Sequence, residues 1–546
     1  MRKKLLALVL AAVLVISLAA CSSSQKSEDS TGSQGGEKEL KVQIGPNPET
    51  IDPALNSAVD GGNMILHAFE CLLTVGQDGT LQPGSAETWE TSEDGLKWTF
   101  HLRDGLKWSD GTDLTAEDFV YSWKRVCDPA VAAPYAETVL GMVKGYEEAA
   151  GGNLDALAVS APDASTLEVE LSAPCPYFGS LAAFATLSPV QKATIEANGD
   201  AWATAPESYV SNGPFYMTDW EQGSHITFSK NPNYWNADAI KLDKLTFALI
   251  EDSNAAYSAY QTDELSFIKD VPTEEIPSLE GNEEYHVDTL MGTYYLNLNC
   301  QKDMFKDPKV RKALSLAIDR KYVAETIMQG TYTAAPNFIG PGWIDPVGGE
   351  FMDNSNGGKP YIDVENYEAN LAEAKKLLAE AGYPDGKGFP KFTYNTNDTG
   401  YHKAVAEYLQ QVWGEQLGIQ MEVKIVEWGS FTPLRRDGQY EAARNGWAAD
   451  YSDPSNQLDI FYSSNGNNDG KYVSEAYDKA MDESRSTMDP AVRSAALHKA
   501  EDVMMEDAAC IPLAYYNDFW LQKTNVSGIW HSAYGYWYFM NADIEG

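Results

Sequence analysis

The stretch "GSAETWETSEDGLKWTFHLRDGLKWSDGTDLTAEDFVYSWKRV" (Gly84–Val126) contains both of the patterns that decide the fold. Within it, "KWTFHLR" (Lys97–Arg103) alternates apolar and polar residues and is rich in aromatic and β-branched side chains, the pattern of a half-buried strand. Twelve residues on, Thr115 can cap a helix with Asp118 reaching back three residues later, and Phe119, Trp123 and Val126 then share one face. A two-residue period gives way to a 3.6-residue period. The chain is therefore expected to be α/β.

The same alternation runs through the rest of the sequence. Strands are expected at "LKVQIG" (Leu40–Gly45), "TLEVEL" (Thr166–Leu171), "HITFSK" (His225–Lys230), "KFTYNT" (Lys391–Thr396) and "MEVKIV" (Met421–Val426). Helices are expected from Asp307, with Pro308 in the first turn, to Gly330, and over Tyr367–Gly382, where Pro384 follows the stop. Another is expected from Asp489. The stretch Phe338–Asn366, rich in Gly, Pro, Asn and Asp, reads as a surface excursion. No period of 20–50 residues repeats, which excludes a solenoid. A chain of 546 residues exceeds one comfortable core, and mixed sheets in more than one lobe are expected.

The formal charge is −40. Without the first twenty residues, 37 basic side chains face 80 acidic ones, a charge near −43. Such a surface repels nucleic-acid phosphates, so no nucleic-acid partner is expected. Residues 1–20 have a basic start (Arg2, Lys3, Lys4) and an apolar run from Leu5 to Ala20, short for a membrane span and suited to a signal peptide. The run ends in Leu18-Ala19-Ala20-Cys21, which resembles the lipobox of bacterial lipoproteins, whose cysteine becomes residue one and carries acyl chains. Residues 21–37 then form a flexible tether. Cys71, Cys127, Cys175, Cys300 and Cys510 are scattered, without CxxC spacing, and read as buried free thiols.

Catalytic signatures are missing. No GxSxG, HExxH, GxxxxGK[ST] or strand-GxGxxG-helix occurs, the seven histidines are dispersed, and Asn465–Gly470 lacks the acid that would complete a calcium loop. No catalytic residue, metal or cofactor is expected, and the chain is not expected to be an enzyme.

Several stretches together resemble family 5 extracytoplasmic solute-binding proteins, the peptide-binding class that serves ABC importers. They are Gly84–Val126, "VSNGPFYMTDW" with "ITFSKNPNYWN", "YYLNLNCQKDMFKDPKVRKALSLAIDR", "NTNDTGYHKAVAEYLQQVWGEQLGI" and "GWAADYSDPSNQLDIFYSSN". The resemblance is to the oligopeptide binders in particular. It implies a periplasmic-binding-protein-like fold of two lobes with mixed sheets, an additional domain, and a ligand in the cleft. Lobe I is expected over 38–59, 183–294 and 512–546, the additional domain over 60–182, and lobe II over 295–511. It further implies a monomeric, membrane-anchored extracytoplasmic receptor that passes oligopeptides to ABC permease subunits. A dipeptide, sugar or metal-chelate receptor on the same fold, or a peptide sensor, is the alternative.

The resemblance also assigns residues. In "ARNGWAADYSDP" (Ala443–Pro454), Asp450 follows an apolar run, and the resemblance makes it the partner of a peptide's α-ammonium group; the alternative is a pair with an internal guanidinium such as Arg444. His402, Arg435 and Arg444 match positions that meet the peptide's carboxylate. Gly446 and Ala448 match strand partners of the peptide backbone, and Trp428 and Trp447 match pocket walls, with Tyr135 and Tyr295 as further candidates. Two departures stand out. Asn47, with Glu49 nearby, occupies the place of an acid common in the family, and Ala448 stands where some relatives have a cysteine.

Overall fold

The computed structural model describes residues 37–272, 274–397, 401–426 and 428–545. Cys21, the leader and the tether up to residue 36 lie outside the described residues.

A mixed sheet of eleven strands forms the spine. Its path runs Met421–Ile425, Phe392–Thr396, Ala442–Ala448, Tyr285–Leu298, Ile511–Gln522, Phe267–Ile268, Glu39–Gln43, Lys244–Ala248, His225–Lys230 and Phe215–Glu221, with Thr333–Ala334 added against Ile511–Gln522. Pairing is parallel around Glu39–Gln43 and around Phe392–Thr396, and antiparallel elsewhere. A separate four-stranded antiparallel sheet holds Ala86–Thr91, Lys97–Leu102, Thr166–Glu170 and Val159–Asp163. The expected strands stand where the alternation placed them, within two residues at each end.

Apolar side chains gather chiefly in two clusters. One draws on Leu40–Leu249, Phe267, Tyr451 and Val526–Ala542, and the other on Met291–Ala514. The four-stranded sheet has no core of its own; Trp98, Phe100 and Leu167 join the first cluster. Between the clusters run the sheet's two long strands, Tyr285–Leu298 and Ile511–Gln522. Their register slips between Thr289 and Thr293 and again between Tyr294 and Tyr295.

Helix starts follow the caps. Asp118 accepts the Thr115 N–H at 2.8 Å ahead of helix Ala116–Cys127, and Asp489 accepts from Ala491 ahead of Pro490–Glu506. The helix opened by Asp307 is shorter than its sequence pattern. It covers Pro308–Leu316, and a π turn over Tyr322–Ile327 follows. Arg320 accounts for the break. Its buried guanidinium donates to the Ser315, Ile318 and Pro512 carbonyls, taking acceptors that a continuous helix would use. The Phe338–Asn366 excursion is likewise tied down: Phe338, Ile339, Trp343 and Phe351 are fully buried, and Glu501 accepts both the Ile339 N–H (2.9 Å) and the Ser355 hydroxyl (2.6 Å).

Asp52 holds the N-terminal segment to the first core. It receives a bidentate pair from Arg125 (2.9 and 2.6 Å) and the indole N–H of Trp202 (2.9 Å), and its side chain is 4% exposed. Asp52→Ala is expected to destabilise the protein by about 3–5 kcal/mol, because Arg125 is left buried without its partner. The urea unfolding midpoint measures this, and a shift below about 1 kcal/mol contradicts it.

Candidate functional site

The strand Ala442–Ala448 pairs along its whole length with Tyr285–Leu298, whereas on its other side Phe392–Thr396 pairs only with Ala442 and Ala443. From Arg444 onward that outer edge has no strand partner among the described residues. Arg435 donates to the Arg444 carbonyl (3.2 Å), and Asn445 Oδ1 accepts the Gly446 N–H (2.9 Å), while the Ala449 N–H turns inward to Met291 O (2.8 Å). By the alternation of an antiparallel ladder, the Gly446 carbonyl and both backbone groups of Ala448 face the open edge. Gly446 is required here: a Cβ would run into the Tyr516 hydroxyl.

Asp450 follows the strand. It is half-buried, and its carboxylate accepts from the Tyr135 hydroxyl (3.3 Å) and the Asn456 amide (3.3 Å). Asn456 Oδ1 in turn accepts the Trp447 indole N–H (3.0 Å) and the Asp450 N–H (3.3 Å), so one amide side chain fixes strand end, indole and acid together. Among the described residues no cationic side chain pairs with Asp450. Burial pushes its pKa above the usual carboxylate value, against the two hydrogen bonds that lower it. The Arg444 pairing, the alternative weighed above, does not form.

Arg444 lies at the other end of the open edge. Its guanidinium stands 5.3 Å over the Tyr294 ring, with Tyr516, Tyr394 and Tyr332 also around it. His402, the first residue of helix His402–Leu417, packs 5.4 Å from the Tyr294 ring. Burial, helped by the nearby Arg444 charge, lowers its pKa to about 3, so the imidazole is neutral at physiological pH. Its Nδ1 is buried without a hydrogen-bond partner.

The remaining expected residues divide. Trp447, Gly446 and Ala448 lie along the edge strand. Arg435 is buried beside it, held by Asn445 and by Asp469 at 3.7 Å, and donates to the Arg444 carbonyl on its outer edge. Tyr295 is 2% exposed and packs against Phe338 and Phe461 in the second core, so it is a core residue and not a lining one; its neighbour Tyr294 faces Arg444. Asn47 accepts the Gly223 N–H at 3.2 Å, and Glu49 is exposed; neither meets the groups around Asp450. Trp428 begins the helix Trp428–Arg436, and its side chain lies outside what the structure describes. Asn456 and Tyr516 were not expected from sequence. Asn456 was within reach, six residues after the acid it orients, whereas Tyr516 is brought over Gly446 only by sheet pairing.

Residues 80–469 match the model for bacterial extracellular solute-binding proteins, family 5 Middle. The chain belongs to this family. The oligopeptide-binding protein OppA of Bacillus subtilis (strain 168) is 33% identical over 557 residues, which cover 99% of each chain. Among solved structures, the MppA periplasmic murein tripeptide binding protein in its unliganded open form superposes with a TM-score of 0.81 at 29% identity, covering 93% of this chain and 98% of that one. Haemophilus influenzae OppA in complex with RPPGFSPFR gives a TM-score of 0.71 at 32% identity, covering 93% and 99%. The fold is thus the mixed α/β, multi-domain fold of these binding proteins.

The lowered His402 pKa has a definite consequence for stability. Below the ordinary value of 6.5 the unfolded chain takes up a proton that the folded imidazole refuses down to about 3, so this residue costs stability as pH falls through that window. His402→Gln is expected to lessen the loss of stability between about pH 7 and about pH 5. Urea midpoints of both proteins at the two pH values check it, and an identical pH dependence contradicts it.

Proposed function

We propose that this chain is an extracytoplasmic receptor, anchored through lipidated Cys21, that captures oligopeptides in extended form and delivers them to an ABC permease. The observation that carries the reading is Asp450: a sheltered carboxylate met, among the described residues, only by neutral donors, at one end of a strand edge that has no strand partner among them and whose other end holds Arg444. A peptide's α-ammonium group supplies the charge that the acid lacks. Its backbone adds to the edge through the Gly446 carbonyl and both groups of Ala448, and its carboxylate meets Arg444 with His402 beside it. Six residue steps separate Arg444 from Asp450, roughly 20 Å if the chain stays extended. Allowing for the reach of the arginine side chain, this span suits peptides of about three to five residues.

The lobes are proposed to be 38–59 with 183–294 and 512–546, and 295–511, with 60–182 as an additional domain. Both boundaries between the lobes fall within the two long strands, close to their register slips. Bending there disturbs few ladder bonds, and closing the lobes about that point would bury the guest. The higher TM-score with the unliganded open MppA than with the peptide-bound OppA supports an open arrangement. The working form is proposed to be a monomer.

Asp450→Ala is expected to weaken binding of a free tri- to pentapeptide by about 2–5 kcal/mol, the cost of truncating one partner of a buried charge pair. N-acetylation of the peptide should cost wild-type affinity by a similar amount while adding little to the defect of Asp450→Ala. Isothermal titration calorimetry measures both. Equal affinity for free and acetylated peptides removes Asp450 from the ammonium role.

A further inference from the structure

The three bodies proposed above are joined unequally. The additional domain, 60–182, shares one apolar cluster with the first lobe: Trp98, Phe100 and Leu167 belong to the same core as Phe215, Phe228 and Phe247. From the second lobe, 295–511, Tyr451 alone enters that cluster among the described residues. It does so through a flat contact. Tyr177 of the additional domain stacks on Tyr451, with ring centroids 5.0 Å apart and planes 10° from parallel.

Each ring is fixed to its own body. Next to Tyr177, Phe178 is fully buried and meets the Trp98 ring edge-on at 5.4 Å. Two residues after Tyr451, Asp453 takes the bidentate pair from Arg493 (2.8 and 2.7 Å) and accepts the Ser455 N–H (2.9 Å) ahead of helix Pro454–Leu458. The same guanidinium stands 5.8 Å from the centre of the Tyr177 ring. Close to this stack in the chain, Pro174 and Gly95 receive Met488 of the second lobe. A Cβ on Gly95 would come within 2.7 Å of the Met488 Cγ and 3.3 Å of Pro174.

The surfaces that meet are two ring faces, a cation beside a ring, and an unbranched thioether on a glycine. Offset stacks and cation–π contacts hold over a range of separations, and a thioether readjusts, so such surfaces turn or slide on each other at little cost. The interdigitated core that joins the additional domain to the first lobe cannot. The additional domain therefore moves with the first lobe, and the boundary that can give is the one at Tyr177 and Tyr451.

The stack is made, with Tyr451 only 8% exposed, in the arrangement read above as open. Two bodies that keep two separate contacts can turn only about the line through both. One contact is the pair of long strands at their register slips. We propose that the Tyr177–Tyr451 stack is the other: a pivot about which the lobes turn, with the rings in contact whether or not a guest is held. This rests on the lobe division and the peptide reading above. Asp450, next to Tyr451 in the chain, then lies near the axis, where points move least, and keeps its shelter as the cleft opens.

Fluorine NMR of protein carrying 3-fluorotyrosine at position 177 tests the pivot, with small-angle scattering as the measure of closure and tri-, tetra- and penta-alanine as guests. Saturation is expected to lower the radius of gyration while the fluorine resonance keeps its position. Tyr177→Ala is expected to change guest affinity by less than about threefold, because a contact made equally in both states does not shift the balance between them. A resonance that moves to its unfolded-chain position on saturation overturns the pivot. So does a larger loss of affinity in folded Tyr177→Ala, the mark of a latch made only on closure. Should Tyr177→Ala fail to fold, the fluorine experiment decides alone. Heat of binding without a change in the radius of gyration overturns the pivot and leaves the peptide reading standing. No heat with any of the three guests overturns the peptide reading and the pivot with it.

Discussion

The antiparallel pairing of Tyr285–Leu298 with Ile511–Gln522 is the constraint on which the other features depend. These strands, fourteen and twelve residues long, exceed the usual strand length and run between the two large apolar clusters. Their inner halves are nearly all buried, so both faces of each strand are covered there. Between Thr289 and Thr293 that regularity lapses, and Gly292 sits in the gap. A Cβ there would come within 2.7 Å of both the Trp447 carbonyl and the Tyr516 ring, so the close approach of three strands depends on this glycine. The same approach brings Tyr516 over Gly446 and sets the open edge of Ala442–Ala448 against its support. The site is a consequence of how the spine is packed.

Electrostatics separates Asp450 from the acids around it. Asp453 takes a bidentate pair from Arg493 at 2.8 and 2.7 Å, Asp459 is held by Arg485 at 2.7 Å, and Asp469 lies 3.7 Å from Arg435. In each, an arginine compensates the lost hydration of the carboxylate. Among the described residues Glu501 also meets only neutral donors, and burial raises its pKa to about 7, but it is closed inside the second core, where it clamps the Phe338–Asn366 excursion. Asp450 is half-buried and lines two neighbouring cavities. That combination, sheltered yet reachable, sets Asp450 apart from the acids that hold the fold together.

What was legible in the sequence was what short-range chemistry decides. Thr115 with Asp118, Asp307 with Pro308, and Asp489 each mark a helix start because cap and helix are neighbours in the chain. Alternation located the strands for the same reason. The misreadings involve partners distant in the chain or choices between adjacent faces. Arg320 interrupts a helix through the Pro512 carbonyl, 192 residues away. The Phe338–Asn366 excursion reads as surface by composition, yet it is held by Glu501. Tyr294 and Tyr295 are indistinguishable in a run of apolar residues, and only the sheet decides which of them faces Arg444. Arg435 and Arg444 are equally plausible anion ligands until Asp469 comes beside one of them.

Under the peptide reading, strand addition alone cannot set the register of a guest. Every residue of a peptide offers the same N–H and C=O, so a guest displaced by two residues along the edge makes the same ladder, and one displaced by a single residue turns its side chains to the opposite faces. Each backbone bond contributes only about 0.5–1.5 kcal/mol net, too little to select one position among near-equivalents. A fixed point is needed, and a charge-assisted bond at Asp450 supplies it at one end of the ladder. Once the ammonium group is fixed, distance along the edge becomes a measure of length, read at Arg444. Every side chain counted from the fixed end then keeps its place whatever the guest's length, and only the carboxylate's place varies with it.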